Sequence, residues 1–334
     1  MPPITVDGPR PQLVVPFPLR LNPHLADARA RDMLWAKETG LVSSVDDEYR
    51  YCSWDLAALV AGWLPDAPAD GLDLATNAFN WCTVYDDLHA GDRSTDFEYS
   101  HSIGKPLLAY LRTGEMPQRP NPLLYSLHDI VEREKHRSPP ENHSRITASW
   151  ALFISATREE TQNRKTSRPL TFLEYRDVRR DSGAVHLMTD LIEIANGYHT
   201  TSHARALPAV RSLFDSANDA ICFINDLYSY PKEEIAGDQH NIIFALQNEH
   251  RCTRTEAIAR ATEIILDECD NMLLQQSYLR KSSRESGLNP QETTNVQRFS
   301  HELIYPIASM VSWQQVSARY TEPDNSLYTS GLAW

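Results

Sequence analysis

Apolar residues recur at helical spacing through almost the whole of this 334-residue chain, and only 12 of its residues are glycine. That combination supplies one amphipathic helix after another and leaves little material for the tight turns of a strand-rich fold. The stripes predict helices over about 24 to 37, 48 to 63, 72 to 90, 99 to 113, 121 to 135, 143 to 163, 171 to 195, 207 to 230, 239 to 248, 254 to 280 and 291 to 319. Breaker-rich stretches at Pro65 to Gly71, Gly114 to Pro122, Ser138-Pro139-Pro140 and Ser282 to Pro290 separate several of them. No unit repeats along the chain and no Ser/Gly linker divides it, so the expected architecture is all-α, one bundle of helices around a shared cavity. Residues 1–23 hold seven prolines and read as an extended strap, with Asn22 and Pro23 as the cap and first-turn proline of the first helix; residues 24–334 read as a single helical domain.

Composition narrows the partners. A formal charge of −13 with no basic block argues against nucleic acid, and no uncharged apolar run is long enough to span a bilayer. The N-terminus lacks a basic stretch followed by an apolar one, so a cytoplasmic protein is the expectation. Five cysteines, Cys52, Cys82, Cys222, Cys252 and Cys269, are odd in number and show no CxxC spacing; they read as reduced thiols rather than a zinc site.

Two polar groups stand out against the helical pattern. Asn225, Ser229 and Glu233 fall at i, i+4 and i+8, which stacks an amide oxygen, a hydroxyl and a carboxylate on one helical stripe. Hard oxygen donors of this kind suit a magnesium ion and leave positions open for water or a phosphate. Far upstream, the aromatic and apolar run Ala78 to Tyr85 ends in Asp86-Asp87, whose mutual repulsion a fixed cation would relieve. Asp92 lies six residues beyond Asp86, off the face of the pair, and its role stays open; His89 is given no catalytic role because magnesium prefers oxygen. Pro231 lies inside the ligand stripe and predicts a disturbed hydrogen bond to residue 227.

The pairing of Asp86-Asp87 with Asn225, Ser229 and Glu233 resembles the class I terpene synthases (terpene cyclases) of bacteria and fungi, of the sesquiterpene synthase type. Their aspartate-rich and Asn-Asp-x-x-Ser-x-x-x-Glu motifs face each other across an all-helical bundle around a central apolar cavity. The resemblance covers most of the chain: Pro16-Phe17-Pro18 through Asn22-Pro23-His24 looks like the family's N-terminal strap. Arg179-Arg180-Asp181-Ser182-Gly183 looks like its diphosphate-sensing segment, with Arg179 as sensor, Ser182 as linker and Gly183 as the effector whose carbonyl faces the substrate. Arg180 is a rival for the sensor position. Lys232 and the pair Arg319-Tyr320 match the residues that bind and close over the diphosphate, the latter expected in a loop-like tail.

The resemblance implies a magnesium-dependent carbon–oxygen lyase acting on a prenyl diphosphate, with three magnesium ions, for which manganese is a substitute, held by Asp86, Asp87, Asn225, Ser229 and Glu233. Farnesyl diphosphate is the expected substrate and a cyclic sesquiterpene hydrocarbon or alcohol the product. Geranyl and geranylgeranyl diphosphate are alternatives, as is a chain-elongating prenyltransferase, although that family carries two aspartate-rich motifs. A non-catalytic helical scaffold or lipid-binding protein is the remaining rival. Neither nucleic acid nor membrane is an expected partner, and a homodimer is admitted. Phe79, Trp81, Phe153, Phe223 and Trp313 are candidate aromatic walls against a carbocation, with plain core packing the simpler account of each.

Overall fold

The computed structural model describes residues 12–90, 93–166, 168–282 and 287–322; Asp92 lies outside them. Sixteen helices and no strand occur among the described residues. The first half comprises α1 (Leu25–Glu38), α2 (Val45–Trp54), α3 (Leu56–Trp63), α4 (Ala69–Asp87), α5 (Phe97–Thr113), α6 (Pro122–Arg137) and α7 (Pro140–Thr166). The second comprises α8 (Phe172–Ser182), α9 (Val185–Asn196), α10 (Ser202–Arg205), α11 (Pro208–Ala236), α12 (Ile242–His250), α13 (Arg254–Ser282), α14 (Pro290–Glu302), α15 (Tyr305–Val316) and α16 (Ala318–Thr321).

Local chemistry explains where the helices start and stop. Asn121 caps α6 ahead of Pro122, and Thr171 forms a reciprocal capping box with Glu174 at the head of α8. At the end of α11, Gly237 takes φ +72°, which a side chain would resist. Two expected single helices are each two, and the one expected over 291 to 319 is three, α14, α15 and α16. Asp55 adopts a left-handed conformation between α2 and α3, where Arg29 grips its carboxylate through Nε and Nη2 at 2.8 and 2.7 Å. Gly183 and Ala184 part α8 from α9, and α14 stops before Pro306, whose ring could not continue the ladder back to Glu302. Pro231, by contrast, does not end its helix: α11 runs on to Ala236.

Asn22 is not the cap of α1, a place taken by His24. Its side-chain amide instead donates to the carbonyls of Leu64 and Ala67 at 2.6 and 2.8 Å, pinning the incoming chain to the end of α3. Arg20 adds a bidentate pair with Asp66, and Leu13 and Phe17 are buried. α11 is the central helix, packed against α8, α9, α12, α13 and α15. All five cysteines carry free thiols. Among the described residues no helix is long and apolar enough to cross a membrane.

Candidate functional site

A cavity of about 380 Å³ lies inside the ring of α3, α4, α7, α8, α9, α11 and α15, with α16 at its mouth. Helical periodicity sorts its lining. On α4, Phe79, Thr83 and Asp86 follow one another at i, i+4 and i+7, so one face runs from an aromatic floor to a carboxylate. On α11, Ile221 and Cys222 precede Asn225, Ser229 and Glu233 in the same way. Leu56, Leu59 and Trp63 of α3, Val185 and Met188 of α9, and Met310 and Trp313 of α15 complete the apolar walls. The two oxygen-donor groups, far apart in sequence, line one cavity.

The adjacent acids have different surroundings. Arg319 holds Asp87 in a bidentate pair at 2.7 and 2.8 Å, and the Asp87 side chain is only 2% exposed. Asp86 keeps 56% of its side chain accessible and meets Arg319 only at 3.5 Å, so it is the acid available to a metal. Desolvation by the surrounding protein raises its pKa, opposed by the positive charge of Arg319.

Across the cavity, Asn225 accepts from Arg179 Nη2 at 2.9 Å and donates to the Tyr320 hydroxyl at 2.7 Å. Its carbonyl oxygen retains a second lone pair for a cation. Ser229 is buried, with a long 3.4 Å contact to the Asp226 carbonyl. Glu233 accepts from Asn241 Nδ2 at 2.8 Å and is pushed up to about 8 by burial, with the neighbouring acids Asp238 and Asp226 adding to the rise. Despite Pro231, Glu233 therefore reaches the cavity.

The Arg179 to Gly183 segment sits at the break between α8 and α9. Arg179 lines the cavity and pairs with Asp226 at 3.1 Å, whereas Arg180 turns away to Asp219 at 2.5 and 2.6 Å. Ser182 donates to Glu160 of α7. A methyl group on Gly183 would lie 2.4 Å from Cys222 Sγ, so the close approach of α11 excludes a side chain there. Lys232 also lines the cavity; burial and Arg319 push its ammonium down, while Asp87, Asp86 and Glu233 pull it up.

Arg319 and Tyr320 lie in the short helix α16 rather than in a loop-like tail. The guanidinium stands 5.0 Å over the Trp54 ring, the Tyr320 ring meets Trp313 edge-on at 5.5 Å, and the Trp54 carbonyl accepts from Trp313 Nε1 and Ser317 Oγ. Of the candidate wall aromatics, Phe79, Phe153 and Trp313 line the cavity; Trp81 packs instead against Tyr85 and Trp150, and Phe223 against Phe172. Trp63, edge-on to Phe79 at 4.9 Å, is a wall residue that the sequence did not single out. Nor did it single out Arg164 of α7, which also lines the cavity. His89 bonds through Nδ1 to the Tyr85 carbonyl at 2.8 Å, and burial holds it down to about 4, hence neutral.

A divalent cation suits this donor set. Every candidate ligand offers a hard oxygen, desolvation raises the pKa of both Asp86 and Glu233, and Arg319, engaged with Asp87, offsets it at Asp86 only from 3.5 Å. Arg179, Lys232 and Arg319 make the same mouth cationic enough to receive a polyanion alongside the metal.

Comparison with known proteins gives the family and the fold. The family described as terpene synthase family 2, C-terminal metal binding, matches residues 77–271. The chain is 28% identical over 324 residues to a 7-epi-alpha-eudesmol synthase ((2E,6E)-farnesyl diphosphate cyclizing) of Streptomyces viridochromogenes, covering 96% of this chain and 94% of the relative. It is 29% identical to a (+)-T-muurolol synthase ((2E,6E)-farnesyl diphosphate cyclizing) of Roseiflexus castenholzii, covering 95% of each. The crystal structure of an a-eudesmol synthase superposes with a TM-score of 0.82 at 27% identity, over 92% of this chain and 99% of that one.

Proposed function

This chain belongs to terpene synthase family 2, and from that premise we propose that it ionises farnesyl diphosphate and cyclises the resulting cation to a sesquiterpene hydrocarbon or alcohol. The observation that carries the reading is the division of one cavity into a mouth of oxygen donors and cations and a floor of aromatic and aliphatic side chains. A prenyl diphosphate has the same division, an anionic head on an apolar tail. The similar eudesmol and muurolol synthases cyclise farnesyl diphosphate, which supports the fifteen-carbon substrate.

In this reading Asp86, Asn225, Ser229 and Glu233 hold magnesium, with Asp87 setting the position of Arg319 beside them. The bound metal would supply positive charge to the departing diphosphate oxygens. Arg179, Lys232, Arg319 and Tyr320 bind the same anion, the arginines through donor forks that match phosphate oxygens. Breaking the carbon–oxygen bond leaves an allylic cation among Phe79, Phe153, Trp63 and Trp313, which exclude water and offer ring faces worth about 0.5 to 2 kcal/mol each. The Gly183 carbonyl, at the break that Cys222 crowds, is the effector dipole toward that cation. The site would take three magnesium ions, with manganese as a substitute.

Purified protein incubated with magnesium and, separately, geranyl, farnesyl and geranylgeranyl diphosphate tests this by gas chromatography with mass spectrometry. A cyclic fifteen-carbon product from farnesyl diphosphate is expected. Incorporation of added isopentenyl diphosphate into a longer chain would overturn cyclisation in favour of elongation.

A further inference from the structure

Glu160 of α7 is 5% exposed, yet its carboxylate gathers contacts from separate stretches of chain. Oε1 accepts from Ser182 Oγ and lies 3.0 Å from His240 Nε2, and Oε2 lies 3.2 Å from Arg164 Nη2. Arg164 continues to Asp238 at 2.9 Å. Asp238 donates its backbone N–H to the Glu233 carbonyl at 2.9 Å and accepts the His240 N–H at 2.9 Å. Asn241, in the same turn, donates to the Glu233 carboxylate and to the Asp226 carbonyl, both at 2.8 Å. Asp226 in turn pairs with Arg179.

One buried carboxylate thus joins the α8–α9 break to the turn that grips Glu233. The linkage expected within Arg179, Ser182 and Gly183 runs outward instead: Arg179 is held by Asp226 and Asn225, while Ser182 is held from α7. Ionised groups exchanging several short contacts out of water hold their geometry more tightly than neutral ones, so this junction is stiff. Desolvation tends to neutralise the acid, but His240, Arg164 and Arg179 more than offset it and keep Glu160 charged well below the usual carboxylate range.

We propose, resting on the function given above, that Glu160 is a positioning residue that fixes the Ser182–Gly183 break relative to the Glu233 end of α11. It sets where the effector carbonyl stands over the cavity and hence which carbon the cation reaches next. Glu160 is absent from the cavity wall, so its effect passes through Ser182 and the Asp238 to Asn241 turn rather than through substrate contact.

The test compares Glu160→Gln, Ser182→Ala, their double variant and Ser182→Thr with the wild type, using farnesyl diphosphate and magnesium. The readouts are kcat, KM and the fraction of acyclic products. Ser182→Ala and Glu160→Gln are expected to raise the acyclic fraction and lower kcat by about 10- to 100-fold, with KM moving by less than about 3-fold. The double variant is expected to be no worse than Glu160→Gln alone, because both cut one connection. Ser182→Thr, which keeps the hydroxyl, is expected to retain the wild-type product ratio. A wild-type ratio from folded Ser182→Ala, or losses that multiply in the double variant, would overturn the proposal. Should Glu160→Gln fail to fold, the contrast between Ser182→Ala and Ser182→Thr still decides. Normal diphosphate release by the wild type with unchanged variants removes this proposal alone; no release from the wild type removes the functional reading and this proposal with it.

Discussion

The acids on α9 and the acids at the cavity mouth are both crowded by protein, but they are compensated differently. Asp190 and Glu193, with side chains 1% exposed, are each met by Arg145 and by Arg205, and hydroxyls of Ser149 and Thr200 complete their shells. At the mouth, Glu233 has Asp226 and Asp238 for neighbours and is pushed up to about 8. Asp86 has one distant guanidinium at 3.5 Å, because Arg319 is committed to Asp87. A carboxylate matched by the protein's own cations holds helices together; one left unmatched beside other acids suits a cation brought from outside. The Val185 and Met188 side chains of α9 line the cavity, while its Asp190 and Glu193 are clamped by arginines.

That contrast breaks most sharply under substitution. Glu233→Ala or Asn225→Ala is expected to cut turnover by at least about 10²- to 10³-fold while helical circular dichroism persists; retained activity would remove the residue from the site. Arg145→Ala should do the opposite, costing about 3 kcal/mol in denaturant unfolding by leaving buried acids short of a partner, with turnover per folded molecule nearly unchanged. Magnesium with inorganic diphosphate is expected to raise the melting temperature of the wild type by several degrees, corresponding to about 2.7 kcal/mol at a hundredfold excess over Kd. Chelation or Glu233→Gln should abolish that shift, and Arg145→Ala should keep it. The smallest effect belongs to Gly183→Ala, whose collision with Cys222 Sγ at 2.4 Å should cost about 1 to 3 kcal/mol. Cys222→Ala in the same chain should recover part of both stability and turnover.

Much of this is legible in the sequence. A 3.6-residue period announces helices directly, and the stripe Asn225, Ser229, Glu233 needed only helical geometry to become one face. What the period could not show were breaks made by single backbone conformations. Asp55 gives no local warning of its left-handed turn, which a partner 26 residues away stabilises. Pro306 was visible, but its consequence was hidden inside an otherwise continuous stripe. At the site, Arg164 and Glu160 carry no spacing relative to either motif, because the packing of α7 against α8 is what brings Glu160 to Ser182, and His240 meets Glu160 from the turn after α11. Asp226 lies one residue from Asn225 but about a quarter-turn around the helix, where it meets Arg179 instead of the cavity, so the ligand stripe does not point to it.

The division of labour between matched and unmatched acids is tested most directly by anomalous diffraction from crystals soaked in manganese and inorganic diphosphate. Density for the ion is expected beside Asp86 and beside the Asn225, Ser229 and Glu233 stripe, with none at Asp190 and Glu193. Manganese bound elsewhere, with both of those cavity-mouth groups empty, would contradict the account.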